Sequence, residues 1–134
     1  MELDLRPVAS VHTRIAALRS LRKGEGAGYN HAWTAPCDTT VAILSIGYSD
    51  RLFRSSSFQA LEVLIHGQRR PLIGAMCMDQ CLVDLGTLPA AIGEEVVVIG
   101  IQGSESISAL EVAEKNETIV PETLSMLRGR MTRI

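Results

Sequence analysis

The stretch KGEGAGYNHAW, Lys23 to Trp33, sets Tyr29 directly behind three alternating glycines and two residues before His31. A tyrosine hydroxyl ionises near pH 10, so it acts as a base at neutral pH only beside a cation or donor, at about 1.4 kcal/mol per pH unit. His31 and Arg14 are the candidates for that role. A plainer reading stays open, in which the ring caps the core and the hydroxyl meets water. The glycines match neither G-x-G-x-x-G nor G-x-x-x-x-G-K-[ST]. They predict a loop that needs positive φ or a close backbone approach, and the residues after Gly28 read as β-like.

A second candidate is GAMCMDQ, Gly74 to Gln80, where an apolar Met-Cys-Met run meets an acid. It reads either as a buried strand leaving a turn or as a loop offering backbone N–H groups to an anion such as a carboxylate. Were CMDQC extended, Cys77 and Cys81 would share a face roughly 13 Å apart, too far to hold one zinc together. His12, His31 and His66 lie in separate segments without metal-ligand spacing, and no G-x-S-x-G elbow accompanies the serines.

The elements that must carry these residues are mostly strands. From Val8 to Leu18, Ala9, Val11, Thr13, Ile15 and Ala17 alternate with a polar face, as in a half-buried strand. Thr39 to Gly47 is nearly continuously apolar, which predicts a strand buried on both faces, with a loop from about Tyr48. Leu61 to Gly67 and Arg70 to Ile73 flank a hairpin turn at HGQ, and further strands are expected at Gln80 to Gly86 and Glu94 to Ile101. Five to seven strands in the first hundred residues predict an antiparallel barrel or sandwich, mainly β and Greek-key-like. Ser108 and Glu111 form an S-x-x-E capping box that starts a short helix to about Lys115. Pro121 suits the first turn of a second, with Leu124 and Leu127 on one face. Ser55 to Ser57 reads as a loop tip.

With 134 residues, 46% of them hydrophobic and only 4% aromatic, the chain is expected to form one domain with an aliphatic core. Thirteen basic and fifteen acidic residues in no long run argue against nucleic acid or anionic lipid as a partner. There is neither a membrane-length apolar window nor an amino-terminal secretory pattern. Three cysteines without framework spacing suit a reducing, cytoplasmic location.

Taken in order, KGEGAGYNHAWTA, IGYSDRLFR, VLIHGQRRPLIGAMCMDQCLVDLG and ETIVPETLSMLRGRMTRI resemble the carboxy-terminal β domain of alanine racemase over nearly the whole chain. The resemblance implies a preceding (β/α)8 barrel that holds pyridoxal 5'-phosphate on a lysine, a head-to-tail homodimer, and L-/D-alanine interconversion of the kind that feeds cell-wall synthesis. It also implies roles for individual residues. Tyr29 is the base that reaches the partner's barrel, and Met78 offers its backbone N–H to the substrate carboxylate. Tyr48 lies at the inner mouth of an entrance corridor, with Arg54, Asp79 and Ile119 farther along it.

Departures from the family pattern are specific. Gly74-Ala75 stands where Gly-Arg is usual, Pro121 where a tyrosine touches the cofactor phosphate, and Asn30 and Arg51 where glycine is common. Loss of that tyrosine leaves serine open as a substrate. A barrel of this kind needs about 250 residues, and with it the cofactor lysine is missing, so the chain alone is expected to racemise nothing. Two alternatives remain: a non-catalytic β-barrel interaction module, and the related domain of pyridoxal-phosphate decarboxylases, whose cysteine-bearing loop CMDQ fits less well.

Overall fold

The structure is a computed structural model that describes residues 3–52 and 61–134. Along the chain these form β1 (Val11–Leu21), β2 (Gly26–Ala27), β3 (Trp33–Thr34), β4 (Thr39–Leu44), β5 (Glu62–Ile65), β6 (Gln68–Ile73), β7 (Cys81–Gly86), β8 (Glu95–Gln102), β9 (Glu105–Ile107), α1 (Ala109–Lys115) and α2 (Val120–Met126). The predicted loop tip at Ser55 to Ser57 and the corridor residue Arg54 lie outside the described residues.

β1 closes the sheet because it pairs with two partners in succession. Its first part faces β8, with Val11 opposite Ile99 and Arg14 opposite Glu95. Its second part faces β4, with Ile15 opposite Leu44 and Leu21 opposite Thr39. The register slips by one residue at Ala16, a bulge that bends the strand from one partner to the other. The full order β1-β4-β7-β6-β5-β8 returns to β1, a closed six-stranded antiparallel barrel without a free edge in that ring. Within it β5, β6 and β7 run as a meander and β8 comes back beside β5, which is the Greek-key order. The expected strand at Val8 to Leu18 is therefore corrected to Val11–Leu21. Val8, Ala9 and Ser10 are exposed and form no ladder, while the bulge breaks the strict alternation.

Alternation is undisturbed in β7, whose Cys81, Val83 and Leu85 point into the barrel. There they meet Ile15, Leu44, Leu64 and Val97, an aliphatic core as the aromatic-poor composition requires. The opposite face of the same wall is apolar as well. Leu21, Val41 and Ile73, with Leu82 beside them, are covered by Ala27, Trp33 and Ala35. β4 is thus buried on both sides, with Val41 facing this second cluster and Ala42 and Leu44 the barrel interior. The cover is the loop that carries Tyr29, so that loop has a small core of its own.

The β5–β6 hairpin turns on His66 and Gly67, both at positive φ (53° and 70°), with Ile65 opposite Gln68, the geometry of a tight two-residue turn. Ser108 caps α1, its Oγ accepting the Glu111 N–H at 3.0 Å. The Glu111 carboxylate turns instead to Arg69, whose guanidinium also binds Glu62 (3.0 Å) and Glu105 (3.1 Å) and donates to the Ser106 carbonyl (2.6 Å). One arginine on β6 so ties α1, β5 and β9 to the barrel. Pro121 lies in the first turn of α2, where a missing N–H leaves no helical bond unmade.

Candidate functional site

Three loops meet at one end of the barrel, and their backbones touch directly. After the β2–β3 pairing of Ala27 with Trp33, Tyr29 to His31 form a single 3-10 turn, which corrects the expectation of a strand after Gly28. Gly28 has φ 81° and ψ 175°, a conformation other residues avoid. A Cβ on it would stand 3.3 Å from both Gly74 Cα and Ala75 N. The Tyr29 loop therefore rests on the start of the Gly74–Gln80 segment.

That segment is a turn and not an extended strand, because the Cys77 N–H donates to the Gln80 carbonyl at 2.9 Å. Ala75 and Met76 are buried, whereas Cys77, Met78 and Asp79 are exposed. On its other side it meets the turn Tyr48–Asp50. The Tyr48 N–H donates to the Cys77 carbonyl (3.2 Å) and the Ser49 N–H to the Met78 carbonyl (2.8 Å), while Ser49 Oγ donates to Asp79 (2.8 Å). Gly47 is essential to this approach, since a Cβ there would overlap the carbonyl oxygens of Cys77 and Met78.

Tyr29 is 64% exposed and Met78 56%. Among the described residues neither the Tyr29 hydroxyl nor the Met78 N–H has a hydrogen-bond partner. The two proposed neighbours of Tyr29 are committed elsewhere. Arg14 donates to the Gly93 carbonyl at 2.8 Å, and the His31 ring lies over the Gly26 backbone. Tyr48, Met78 and Asp79 are thus brought together, with Tyr29 joined to them through Gly28 and Gly74. Ile119 is not part of this contact set; it is the exposed residue that opens α2.

Two residues given no role from the sequence organise this end. Asp50 is 2% exposed and accepts the Gly47 N–H (3.1 Å), the Arg130 N–H (3.3 Å) and Arg130 Nη2 (2.9 Å). Burial would raise its pKa, but the bonds from Arg130 and Gly47 outweigh this and hold the carboxyl below its ordinary value. Arg130 Nη2 also reaches the Asp79 carbonyl at 3.2 Å. An acid three residues after Gly47, at the spacing of a turn-capping residue, was the available signal for Asp50; Arg130 lies 80 residues on, and no local pattern links them.

Cys81 is buried, which pushes its thiol up to about 12, with the nearby Cys77 adding to the shift, and it is inert as a nucleophile. Among the described residues no group of three metal-ligating side chains occurs, and no helix is long and apolar enough to cross a membrane. A groove of about 740 Å³ between Val8–His12 and the Leu124–Ile134 tail includes neither Tyr29 nor Met78. The chain's two lysines are also elsewhere: Lys23 lies just past the end of β1, and Lys115 stands 3.6 Å from Glu111 in the Arg69 network. The donor set around Tyr29 therefore does not fit a cofactor that needs a lysine and phosphate ligands.

Fold and site together define a Greek-key barrel domain that displays an unpartnered tyrosine and a free backbone donor on an open surface. The chain belongs to the alanine racemase family, as its C-terminal domain: the model for "Alanine racemase, C-terminal domain" matches residues 8–134. The alanine racemase of Mycobacterium ulcerans (strain Agy99) is 44% identical over 135 residues, covering 99% of this chain and 34% of that protein. Among solved structures, the histidine racemase of Leuconostoc mesenteroides subsp. sake superposes with a TM-score of 0.90 at 28% identity, covering 98% of this chain and 35% of that one. The alanine racemase of Bartonella henselae, which carries covalently bound pyridoxal phosphate, does so with a TM-score of 0.84 at 28% identity, covering 93% and 34%. The chain spans about a third of the length of the curated relatives it matches.

Proposed function

We propose that residues 1–134 form one domain of a pyridoxal-phosphate-dependent amino-acid racemase, acting on alanine and with serine open as a further substrate. In this reading Tyr29 enters the (β/α)8 barrel of a partner subunit in a cytoplasmic homodimer and moves a proton at the substrate Cα from its Oη. The Met78 N–H binds the substrate carboxylate, and Tyr48, Arg54, Asp79 and Ile119 line the approach. The cofactor is held by residues outside this chain and supplies the electron sink that acidifies the Cα. The observation that carries the reading is the unpartnered, exposed Tyr29 hydroxyl on a loop fixed by backbone contact to the segment that bears the free Met78 N–H.

The exposure leaves Tyr29 open to a partner surface. With Arg14 bonded to the Gly93 carbonyl and the His31 ring set against Gly26, the cation or donor that lets Tyr29 act as a base comes from the surface against which the loop docks. A histidine racemase and an alanine racemase both share this domain fold, so the fold alone does not select the substrate.

The test is Tyr29→Phe in the complete enzyme. It is expected to abolish solvent-deuterium exchange at Cα on one face while pyridoxal-phosphate absorbance and affinity stay unchanged. Racemisation at the unmodified rate would refute the assignment.

A further inference from the structure

We propose that Arg130 is a positioning residue that aims the Met78 N–H and the Tyr48 turn by bracing two loops against the C-terminal tail; the functional part of this inference rests on the racemase reading above. Its guanidinium lies between the loops. Nη2 donates to buried Asp50 at 2.9 Å in one and to the Asp79 carbonyl at 3.2 Å in the other, and Nε stands 3.7 Å from the Asp79 carboxylate. The backbone joins in, because the Arg130 N–H donates to the second oxygen of Asp50 at 3.3 Å. Asp50 is therefore gripped by both the main chain and the fork of the same residue.

The tail comes this close only because Gly129 precedes Arg130. Gly129 has φ 91°, and a Cβ on it would stand 2.8 Å from the Ser49 carbonyl oxygen and 3.2 Å from Asp50. Asp50 in turn accepts the Gly47 N–H, and Gly47 sits flush against the Cys77 and Met78 carbonyls. The two peptide units that flank Met78 are pinned by the Tyr48 turn, the Cys77 carbonyl by the Tyr48 N–H and the Met78 carbonyl by the Ser49 N–H, and Arg130 holds the carbonyl of the next unit, that of Asp79. The Met78 N–H shares its plane with the Cys77 carbonyl, so its direction follows the Tyr48 turn, which Arg130 holds through Asp50. A planar fork with several donors can span both loops, whereas an ammonium cannot keep the same geometry.

The brace is tested first on this chain by amide hydrogen exchange. Arg130→Met and the charge-conserving Arg130→Lys are expected to speed exchange at Tyr48 and Ser49 at least about tenfold. The strands β5 to β8 should stay as protected as in the unchanged chain. Arg69→Met, which breaks the ion-pair network at α1, is the control and should leave Tyr48 and Ser49 unaffected. Unchanged exchange at Tyr48 and Ser49 in both Arg130 variants would overturn the brace. In the complete enzyme Arg130→Lys is expected to raise KM for the amino acid about tenfold while kcat falls less than about threefold, the mark of weakened carboxylate binding. Equal loss in kcat with KM unchanged would overturn the positioning role. Should Tyr29→Phe retain full activity, the racemase reading falls while the exchange result still decides the brace.

Discussion

Replacing Gly28 by alanine isolates the contact on which the Tyr29 loop depends, and Gly24 provides the comparison within the same loop. Both glycines have similar positive φ, 81° at Gly28 and 89° at Gly24. A Cβ on Gly24 meets nothing within 4 Å, so Gly24→Ala carries only backbone strain, about 1–2 kcal/mol. Gly28 has ψ 175°, a region nearly confined to glycine, which costs about 1–3 kcal/mol. Its added Cβ also presses at 3.3 Å on Gly74 Cα and Ala75 N, backbone that cannot swing aside as a side chain could. Overpacking of this kind adds at least about 1 kcal/mol.

Gly28→Ala is thus expected to be about 2–4 kcal/mol less stable than the unchanged chain and at least about 1 kcal/mol less stable than Gly24→Ala. Urea unfolding read from the shift in midpoint at constant slope measures both. On the proposed racemase reading, Gly28→Ala in the complete enzyme should also lower turnover by about a hundredfold, since Tyr29 is the next residue and an ångström of displacement matters that much. If the two alanine variants unfold at the same midpoint, Gly28 does not bear on Gly74 and Ala75, and the coupling of the two loops is wrong.

Two further outcomes depend on particular backbone and charge geometry. Arg51 sits at φ 69° and ψ 21°, so Arg51→Gly should raise stability by about 0.5–1 kcal/mol, the relief of left-handed strain less the entropy glycine gains when unfolded; a lower urea midpoint would count against it. Bonds from Arg69 hold the Glu111 carboxyl below its ordinary pKa despite partial burial. A depressed folded pKa gives stability that is present above the unfolded value and lost as pH falls through the folded one. Glu111→Gln should therefore destabilise by about 1 kcal/mol at pH 7, with the gap to the unchanged chain closing on acidification below about pH 4. A gap that is the same at pH 3 would show that the Arg69 bond is not what shifts Glu111.

Elements whose signal is local were legible in the sequence. β7 alternates without a break, His66-Gly67 makes the turn expected at HGQ, and Ser108 and Pro121 start the two helices where their chemistry favours it. The expected closure as a barrel was one of two options that pattern alone could not separate. The deciding feature is the bulge at Ala16, which has no signature in a run of small and apolar residues. The same is true of the site. Tyr29 and Met78 stood out by company and chemistry, but their connection runs through backbone contacts between Gly28 and Gly74 and between Gly47 and Met78, invisible until the chain is folded. Asp50 and Arg130 were missed because an ion pair across 80 residues leaves no periodic trace.

That reliance on backbone also bears on the departures that the resemblance to the family implies. Asn30 and Arg51 replace glycine, yet both keep left-handed φ, 56° and 69°, so the two turns keep their path at some cost in strain. Ala75 stands where the resemblance implies a cation, but the contact with Gly28 is made by the Ala75 nitrogen, which any side chain there would preserve. Pro121 removes a hydroxyl at a helix start where its own missing N–H costs no bond. The backbone contacts that hold Tyr29 and Met78 are in place with these residues present. Since the scaffold is fixed by peptide groups and the Asp50–Arg130 pair, the side chains around it are free to vary without loss of the fold, and on the racemase reading proposed above that freedom extends to substrate preference.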